Sequence, residues 1–346
     1  MQPAFVARFH PSGPWRIGGP TGAAESAESV LHSDTVYAAV TSAMSRLGML
    51  EPWLEAAFRG SCPPPVRFSS CFPFLNELRF VCPPAHLWPP APSPKVRWKG
   101  ARLLPLSAVS QLLAGASLDE GAWIVDGASQ CLLPAGSPCG PFRVAVRSMA
   151  AVDRLTGAAA FPRKSACIEF AAGAGMWTLA SFADEEAKGR WEAAVKASFR
   201  LLADSGLGGN RSLGWGGAAA VEFEDGVLPD LLLPQSSPEV PEEGAEAPLP
   251  ETAWWLLSIL APGEADGVDW TRGQYDTLIR TGRVEGMAGA GSLKMPSRAL
   301  AEGSVIFAPA APSGLVQDVT PQGAAHPVYR AGFSLSLQVP WREAAK

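Results

Sequence analysis

The chain has 346 residues, 47% of them hydrophobic, and carries 28 basic against 33 acidic side chains, for a formal net charge of −5 at pH 7. This length and apolar content predict a folded protein of two domains with a large core. No apolar run is long enough to span a membrane, and Arg8 and Pro11 interrupt the N-terminus where a signal peptide would have its apolar core. We therefore expect a cytoplasmic protein without membrane contacts.

The cysteines and histidines give no sign of a metal site. The six cysteines contain no C-x-x-C pair, and the four histidines are scattered singly along the chain. Structural zinc sites usually place their ligands in close pairs. We therefore predict neither a bound metal nor a cofactor, and buried reduced thiols.

The first part of the chain alternates strands with one helix. Ala4–His10 has the pattern of a strand, and a Gly- and Pro-rich loop leads from it to the sequence Leu31-His-Ser-Asp-Thr35. There a helix is predicted to begin, with Ser33 or Asp34 as its N-cap and Gly48 at its end. Two further strands are predicted over Val66–Phe74 and Leu78–Cys82.

A large insertion follows, over about residues 83–175. It contains many basic side chains, including Arg147, Arg154 and Lys164, among aromatic residues such as Trp98 and Phe142. Cations interleaved with aromatics are typical of surfaces that bind single-stranded RNA, although each charge singly also fits an ordinary solvated surface.

After the insertion come a strand from Met176 to Phe182, a helix and a glycine-rich loop. The helix is predicted from about Glu185 to Asp204, because Trp191, Val195, Phe199 and Leu202 form one apolar stripe. A strand from Ala218 to Phe223 follows the loop. Together with the first elements, this order predicts an α+β chain whose residues 1–233 form a ferredoxin-like (RRM-like) domain, interrupted by the insertion.

The loop itself, residues 206–217, is the most informative segment. Glycines allow positive φ and close approach of phosphate oxygens to backbone N–H groups, Arg211 suits a phosphate, and Trp215 offers a ring for a base. No Lys follows the last glycine as in a mononucleotide P-loop, and the helix precedes the glycines, unlike in a dinucleotide fold. An ordinary helix-to-strand connection is the alternative. The residues predicted to bind RNA here are Gly208, Gly209, Asn210, Arg211, Ser212, Gly214, Trp215 and Gly216.

Residues 234–250 are rich in Pro and Glu and predict an acidic linker between two domains. Between Arg211 and Arg272 the chain has twelve of its 33 acidic residues and none of its 28 basic ones, so the remainder is net positive. A C-terminal domain is predicted over residues 251–346, with strands at Thr252–Leu260, Gly303–Phe307 and Gly332–Val339.

Five motifs, taken together and in order, carry a family resemblance. They are Leu31-His-Ser-Asp-Thr35, Val152-Asp-Arg-Leu-Thr156, Gly208-Gly-Asn-Arg-Ser-Leu-Gly-Trp-Gly216, Glu302-Gly-Ser-Val-Ile-Phe307 and His326-Pro-Val-Tyr-Arg-Ala-Gly332. The chain resembles the RAMP superfamily of CRISPR proteins, and within it the type III-A (Csm) effector subunit that caps the 5′ handle of the CRISPR RNA. The linker at 234–250 and the Pro-rich stretch at 83–94 depart from that pattern and leave a type III-B or divergent subtype open.

The resemblance implies two ferredoxin-like domains and a non-catalytic RNA-binding role. It implies that the glycine-rich loop grips the CRISPR RNA, with His32 and Ser33 near the same groove. A hairpin-like thumb containing Arg154 to Lys164 is expected beside the guide and target RNA. The implied protein partners are the large polymerase-like signalling subunit and the adjacent RAMP backbone subunit.

Two other functions remain open on the sequence. Related RAMP proteins cleave precursor CRISPR RNA without a metal, and His32 stands where a general acid or base would. Its neighbours Ser33 and Asp34 cannot form a triad with it, and no partner for His32 is visible in the sequence. A purely structural protein that binds no RNA is the third possibility, and it would leave Arg211 and Trp215 unexplained.

Overall fold

The computed structural model describes residues 2–18, 23–60, 63–90, 96–159, 162–233, 252–284 and 291–341. We call residues 2–233 the N-terminal unit and residues 252–341 the C-terminal unit. The fold is mixed α/β, mostly strands with few helices. The acidic segment predicted as a linker, 234–250, lies outside the described residues.

The N-terminal unit contains eleven strands and four α-helices within its described residues. In chain order they are β1 Gln2–Pro11, α1 Ser33–Arg46, α2 Leu50–Leu54 with a π-helical turn Glu55–Arg59, β2 Val66–Phe68, β3 Phe72–Leu75, β4 Leu78–Val81, β5 Leu104–Pro105, α3 Leu106–Leu113, β6 Trp123–Asp126, β7 Cys131–Pro134, β8 Phe142–Met149, β9 Arg163–Phe170, β10 Ala174–Phe182, α4 Glu185–Ser205 and β11 Ala218–Leu228.

The main sheet of this unit has the order β11-β1-β10-β3-β4-β5, and β2 also pairs with β10. Strand β1 lies between β10 and β11 in this sheet and pairs antiparallel with both. The rings of Phe5 and Phe9 pack edge-on against Phe199, so α4 covers this face of the sheet. Because α4 buries the predicted stripe from Trp191 to Leu202, the predicted helix is confirmed.

The start of α1 differs from its prediction. His32 occupies the N-cap position with no side-chain capping bond, whereas Ser33 and Asp34 lie within the helix and are buried. They bond to the C-terminal unit instead of to the helix's own N–H groups. The prediction that Ser33 or Asp34 caps the helix is therefore wrong.

The insertion between β4 and β10 contains helix α3 and five strands, β5 to β9. It adds β5 to the edge of the main sheet and forms two antiparallel hairpins, β6–β7 and β8–β9. The second hairpin is the one that matters for the site, because residues of β9 contact the glycine-rich loop.

The C-terminal unit contains β12 Thr252–Leu256, β13 Asp269–Gln274, β14 Thr277–Arg280, β15 Ser297–Leu300, β16 Val305–Phe307, β17 Gly314–Asp318, β18 Tyr329–Phe333 and β19 Ser336–Pro340. Four of them form a sheet of order β13-β16-β12-β19, and β14–β15 and β17–β18 form hairpins. Residues 252–284 and 291–341 contain no α-helix, only a 3₁₀ turn at Glu264–Asp266. The two helices that a second ferredoxin-like domain requires thus have no counterpart within these ranges.

The two units share one hydrophobic core. Tyr37 of α1 packs on Phe333 of β18 with ring centroids 5.3 Å apart, and the Trp255 indole donates to the carbonyl of Cys82. Helix α1 therefore lies between the main sheet and the C-terminal unit. None of the helices in the described part of the chain is long and apolar enough to cross a membrane.

Candidate nucleic-acid interface

A cleft of about 210 Å³ opens beside the start of α1. We call it the loop cleft. Its walls are residues 206–209 and Arg211 of the glycine-rich loop, Arg16 to Gly18, and His32 and Thr35, while Arg280 enters from the C-terminal unit. The structure thus brings the glycine-rich loop and His32 together at one groove, as the family resemblance implied, while Ser33 is not among the residues that line it.

The glycines of the loop are required first by the loop's own packing. Gly206, Gly208, Gly214 and Gly216 have φ between 78° and 88°, a region that L side chains rarely adopt. A Cβ at Gly208 would collide with the carbonyl oxygen of Arg16, and one at Gly216 with that of Leu207. Gly209 differs, because its φ is not positive and a Cβ there would face the Arg16 side chain at 3.1 Å.

The loop is fastened to the chain that follows β1. The N–H of Gly209 donates to the carbonyl of Arg16 at 2.8 Å, and the N–H of Gly216 donates to that of Pro14 at 2.9 Å. The Trp15 indole also donates to the carbonyl of Gly217. These bonds fix the backbone that lines the loop cleft.

The predicted loop residues differ in their access to solvent. Ser212 and Gly214 are exposed, while Gly208, Gly209, Asn210 and Arg211 are partly buried. Asn210 and Gly214, both left-handed, flank the 3₁₀ turn Arg211–Leu213 and turn the chain back into the protein. Gly216 is therefore buried, and Trp215 is only 7% exposed. The expectation that the Trp215 ring offers a face to a base is wrong.

Arg16 is a cation of the cleft that the sequence analysis missed. Its guanidinium donates to the carbonyls of Ala24 and Ala166 and to Ser165 Oγ, all neutral acceptors. No carboxylate among the described residues pairs with it, so its charge is not neutralised locally. The only signal in the sequence was an arginine within a Gly- and Pro-rich loop, which is too common a feature to single it out.

The β8–β9 hairpin meets the loop at one hydroxyl. Ser165 Oγ accepts from Asn210 Nδ2 at 3.0 Å and from Arg16 Nη1 at 2.8 Å. Successive side chains of a strand point to opposite faces, so Lys164 points away from the loop. Arg154 lies at the exposed tip of the hairpin, beside Leu155, which is 97% exposed. The structure does not bring Arg154 or Lys164 to the loop cleft.

His32 has two partners, contrary to the sequence analysis. Its Nδ1 lies 2.8 Å from Glu302 Oε1, and its Nε2 lies 3.0 Å from Glu28 Oε2. Burial of His32 opposes its ionisation, but the two carboxylates outweigh this cost and raise its pKa to about 10. Both ring nitrogens of the resulting imidazolium donate hydrogen bonds. Glu302 was not recognisable in the sequence, because it is 270 residues away from His32, whereas Glu28 is only four residues away and was overlooked.

Ser33 and Asp34 also bond to the C-terminal unit. Ser33 Oγ accepts from the N–H of Ile259 at 3.2 Å. Asp34 accepts two bonds from Arg280, at 2.9 and 3.0 Å, and lies 3.3 Å from Arg330 Nε. Burial raises the pKa of the Asp34 carboxyl, but the two arginines outweigh it and hold that pKa below its usual value. Ser33, predicted to touch RNA, is 1% exposed and serves the contact between the units instead.

Three consecutive residues, His32, Ser33 and Asp34, thus tie α1 to the C-terminal unit, and we call them the interdomain latch. The same stretch of chain supplies His32 and Thr35 to the wall of the loop cleft. Among the described residues no three His, Cys, Asp or Glu side chains are grouped so that they could hold a metal ion.

Both the C-terminal sequence and the overall fold match known proteins. Residues 250–339 match the model of the CRISPR Csm4 C-terminal domain family. In solved structures, the chain matches one from a crystal structure of a Csm3–Csm4 subcomplex of the type III-A CRISPR–Cas interference complex, with 16% identity, a TM-score of 0.61 and coverage of 98% of this chain and 99% of that one.

A crystal structure of a Csm1–Csm4 cassette in complex with pppApA matches similarly, with 17% identity, a TM-score of 0.58 and coverage of 99% of both chains. A search of curated protein sequences finds no significant match. The family match therefore covers residues 250–339, and the chain as a whole shares the fold of the chains that it matches in these Csm structures.

Proposed function

We propose that this chain is the RNA-binding subunit of a type III CRISPR effector complex and that its loop cleft holds the 5′ handle of the CRISPR RNA. The observation that carries this proposal is the loop cleft itself. The glycine-rich loop and the start of a helix line the same cleft, and so does Arg16, whose charge no described carboxylate neutralises. An arginine that is not paired with a carboxylate suits a phosphate of the RNA.

Within the cleft the residues have different roles in this proposal. Arg211, Ser212 and the backbone of Gly208 to Asn210 contact the RNA. Gly214 and Gly216 allow the backbone conformation of the loop, and the buried ring of Trp215 stabilises it. His32 lines the cleft as an imidazolium, whereas Ser33 and Asp34 act through the interdomain latch.

The geometry around His32 supports a non-catalytic role. A general base needs an unprotonated nitrogen at working pH, within reach of the proton that it removes. With a pKa of about 10 and a carboxylate on each nitrogen, His32 has no free lone pair near neutral pH. A group with that pKa is also a poor proton donor to a leaving oxygen. Metal-independent cleavage of precursor CRISPR RNA therefore remains only the alternative function.

The protein partners follow from the likeness to structures of Csm4 with Csm1 and with Csm3. We infer that the chain docks to the large polymerase-like signalling subunit and to the adjacent RAMP backbone subunit, with target RNA passing near the handle, in the cytoplasm. We also infer that residues 1–233 form one ferredoxin-like domain. Its strand order, β11-β1-β10-β3 with α1 and α4 as the connecting helices, supports that inference.

Co-expression tests this function. The tagged chain is produced with the large and backbone subunits of its own locus and a CRISPR array, and the complex is purified. We expect both subunits and a discrete small RNA to copurify, and the purified chain alone to leave end-labelled precursor RNA intact with or without magnesium. Site-specific cleavage by the wild-type chain would contradict the non-catalytic role, and failure to retain RNA or subunits would contradict the assembly role.

A further inference from the structure

The β8–β9 hairpin carries a row of basic side chains on one face. Residues directly opposite in an antiparallel pair lie on the same face, and here Arg143 is opposite Glu169, Arg147 is opposite Ser165 and Met149 is opposite Arg163. Arg143, Arg147 and Arg163 thus share one face, which we call the hairpin strip. Glu169 is the only carboxylate on that face of the two strands.

One carboxylate engages two of these arginines. Arg147 Nη2 lies 2.6 Å from Glu169 Oε1, and Arg143 Nη2 lies 2.9 Å from Glu169 Oε2. The side chain of Glu169 is 21% exposed, against 47% for Arg147 and 73% for Arg143. Both guanidiniums therefore keep most of their donors in solvent, and the group of three charges is net positive.

The hairpin strip adjoins the loop cleft, because Ser165 on its face contacts the glycine-rich loop and Arg16. Ser165, opposite Arg147, is the residue whose hydroxyl accepts from both Asn210 and Arg16. Arg147 reaches along its strand past Ala145 to Glu169, whereas Ser165 opposite it is engaged by Asn210 and Arg16. On the hairpin strip Arg147 is therefore the arginine opposite the residue that contacts Asn210, with Arg143 and Arg163 to either side of it.

We propose that, where RNA leaving the loop cleft follows this hairpin, Glu169 competes with RNA phosphate for Arg143 and Arg147 of the hairpin strip. The inference rests on the proposed function, because it assumes RNA in the cleft. A phosphate offers the same acceptor geometry as a carboxylate to an arginine, and its binding releases counterions. Hydrogen bonds from Arg147 and Arg143 outweigh burial and lower the pKa of Glu169, which keeps this competitor ionised.

The test uses Glu169→Gln in the full-length protein. Binding of a labelled single-stranded RNA oligonucleotide is measured by fluorescence anisotropy over a series of salt concentrations. If Glu169 competes with phosphate, the variant binds roughly twofold to fivefold more tightly, the size of an exposed ion pair. The slope of log K against log salt steepens by roughly 0.7 for each arginine released to a phosphate.

Two further variants separate competition from other effects. Glu222→Gln removes the same charge on β11, where Glu222 pairs with His10 away from the hairpin, and is expected to change the affinity little. Adding Arg147→Gln to Glu169→Gln is expected to remove the part of the gain that depends on Arg147, including roughly 0.7 of the steepening of the salt slope. Thermal unfolding confirms that each variant is folded.

The outcomes distinguish this inference from the function on which it rests. If Glu169→Gln binds RNA no more tightly than wild type while Arg211→Gln weakens binding, the loop cleft holds RNA and the hairpin strip is only a cross-strand ion pair. Weaker binding by Glu169→Gln would likewise overturn the inference and assign Glu169 to the stability of the hairpin. If the wild-type protein binds no RNA even at low salt, the proposed function fails and the inference fails with it.

Discussion

The imidazole of His32 and the carboxylate of Glu302 meet at 2.8 Å across the boundary between the two units. Glu302 is 4% exposed in its side chain and also accepts from the Ser70 hydroxyl, so two residues of the N-terminal unit hold this side chain of the C-terminal unit. Because His32 also lines the loop cleft, the position of that wall depends on the docking of the C-terminal unit.

The first prediction concerns pH. The pKa of His32 is raised from 6.5 to about 10 in the folded state, so its ion pairs contribute their full stability below pH 6.5 and lose it as pH rises through 10. We expect the free energy of unfolding to fall by a few kcal/mol over this window, as for loss of a buried pair. Urea denaturation at several pH values measures it.

Glu302→Gln provides the comparison for that pH series. Without the carboxylate the pKa of His32 drops, so the variant is expected to be less stable at pH 7 by about 3–5 kcal/mol and to depend less on pH above 6.5. Glu77→Gln, whose side chain is 92% exposed, is the matched control and is expected to behave like wild type. An unchanged pH dependence in Glu302→Gln would show that His32 is not held ionised by this contact.

The second prediction concerns Trp215. Since its ring is buried, Trp215→Ala is expected to destabilise the protein by about 3–5 kcal/mol, as for large-to-small core changes. Trp215→Phe keeps most of the packing and is expected to lose much less. RNA affinity of the Phe variant is expected to stay near wild type, measured by anisotropy. A large loss of affinity in a Phe variant of normal stability would instead indicate direct contact of the indole with RNA.

The third prediction compares two glycines of opposite environment. Gly208 has φ of 84° and no room for a Cβ, so Gly208→Ala is expected to cost more than 1 kcal/mol and to weaken RNA binding. Gly189 lies within α4, with nothing within 4 Å of a Cβ, and Gly189→Ala is expected to stabilise by about 0.5–1 kcal/mol. Thermal unfolding of both variants checks the pair. Equal effects would mean that the loop is not held in the conformation described here.

Local patterns predicted β1, α1, β4, β10, α4 and β11 of the N-terminal unit, but not α2 or the elements of the insertion, and they merged β2 and β3 into one strand. The stripe from Trp191 to Leu202 and the N-terminal Asp184 define α4 without reference to other elements, and Asp184 Oδ1 does accept the N–H of Ala187. The glycine-rich loop was equally visible, because positive φ at several close positions leaves few residue types possible. The sequence was sufficient to predict α4 and the glycine-rich loop, because their signals lie within the segments themselves.

Contacts between distant segments could not be predicted in this way. Nothing near His32 or Asp34 in the sequence indicates Glu302 or Arg280, and the polar side chains at a helix start resemble an ordinary N-cap. Trp215 was misjudged for a similar reason. A tryptophan among glycines is compatible with an exposed ring as well as with a buried one. The turn at Arg211–Leu213, which buries it, depends on packing against residues 12–17.

The central claim, that the loop cleft binds RNA phosphate, is tested most directly by the salt dependence of one arginine variant. Affinity for CRISPR RNA with its 5′ handle is measured against salt for wild type, Arg211→Gln and Arg46→Gln. Arg46 lies at the far end of α1 and is exposed, so it controls for charge alone. We predict that Arg211→Gln binds more weakly and that its log–log slope is shallower by roughly 0.7, the value for one phosphate on a single strand, while Arg46→Gln matches wild type. A folded Arg211→Gln variant with wild-type affinity and slope would contradict the claim.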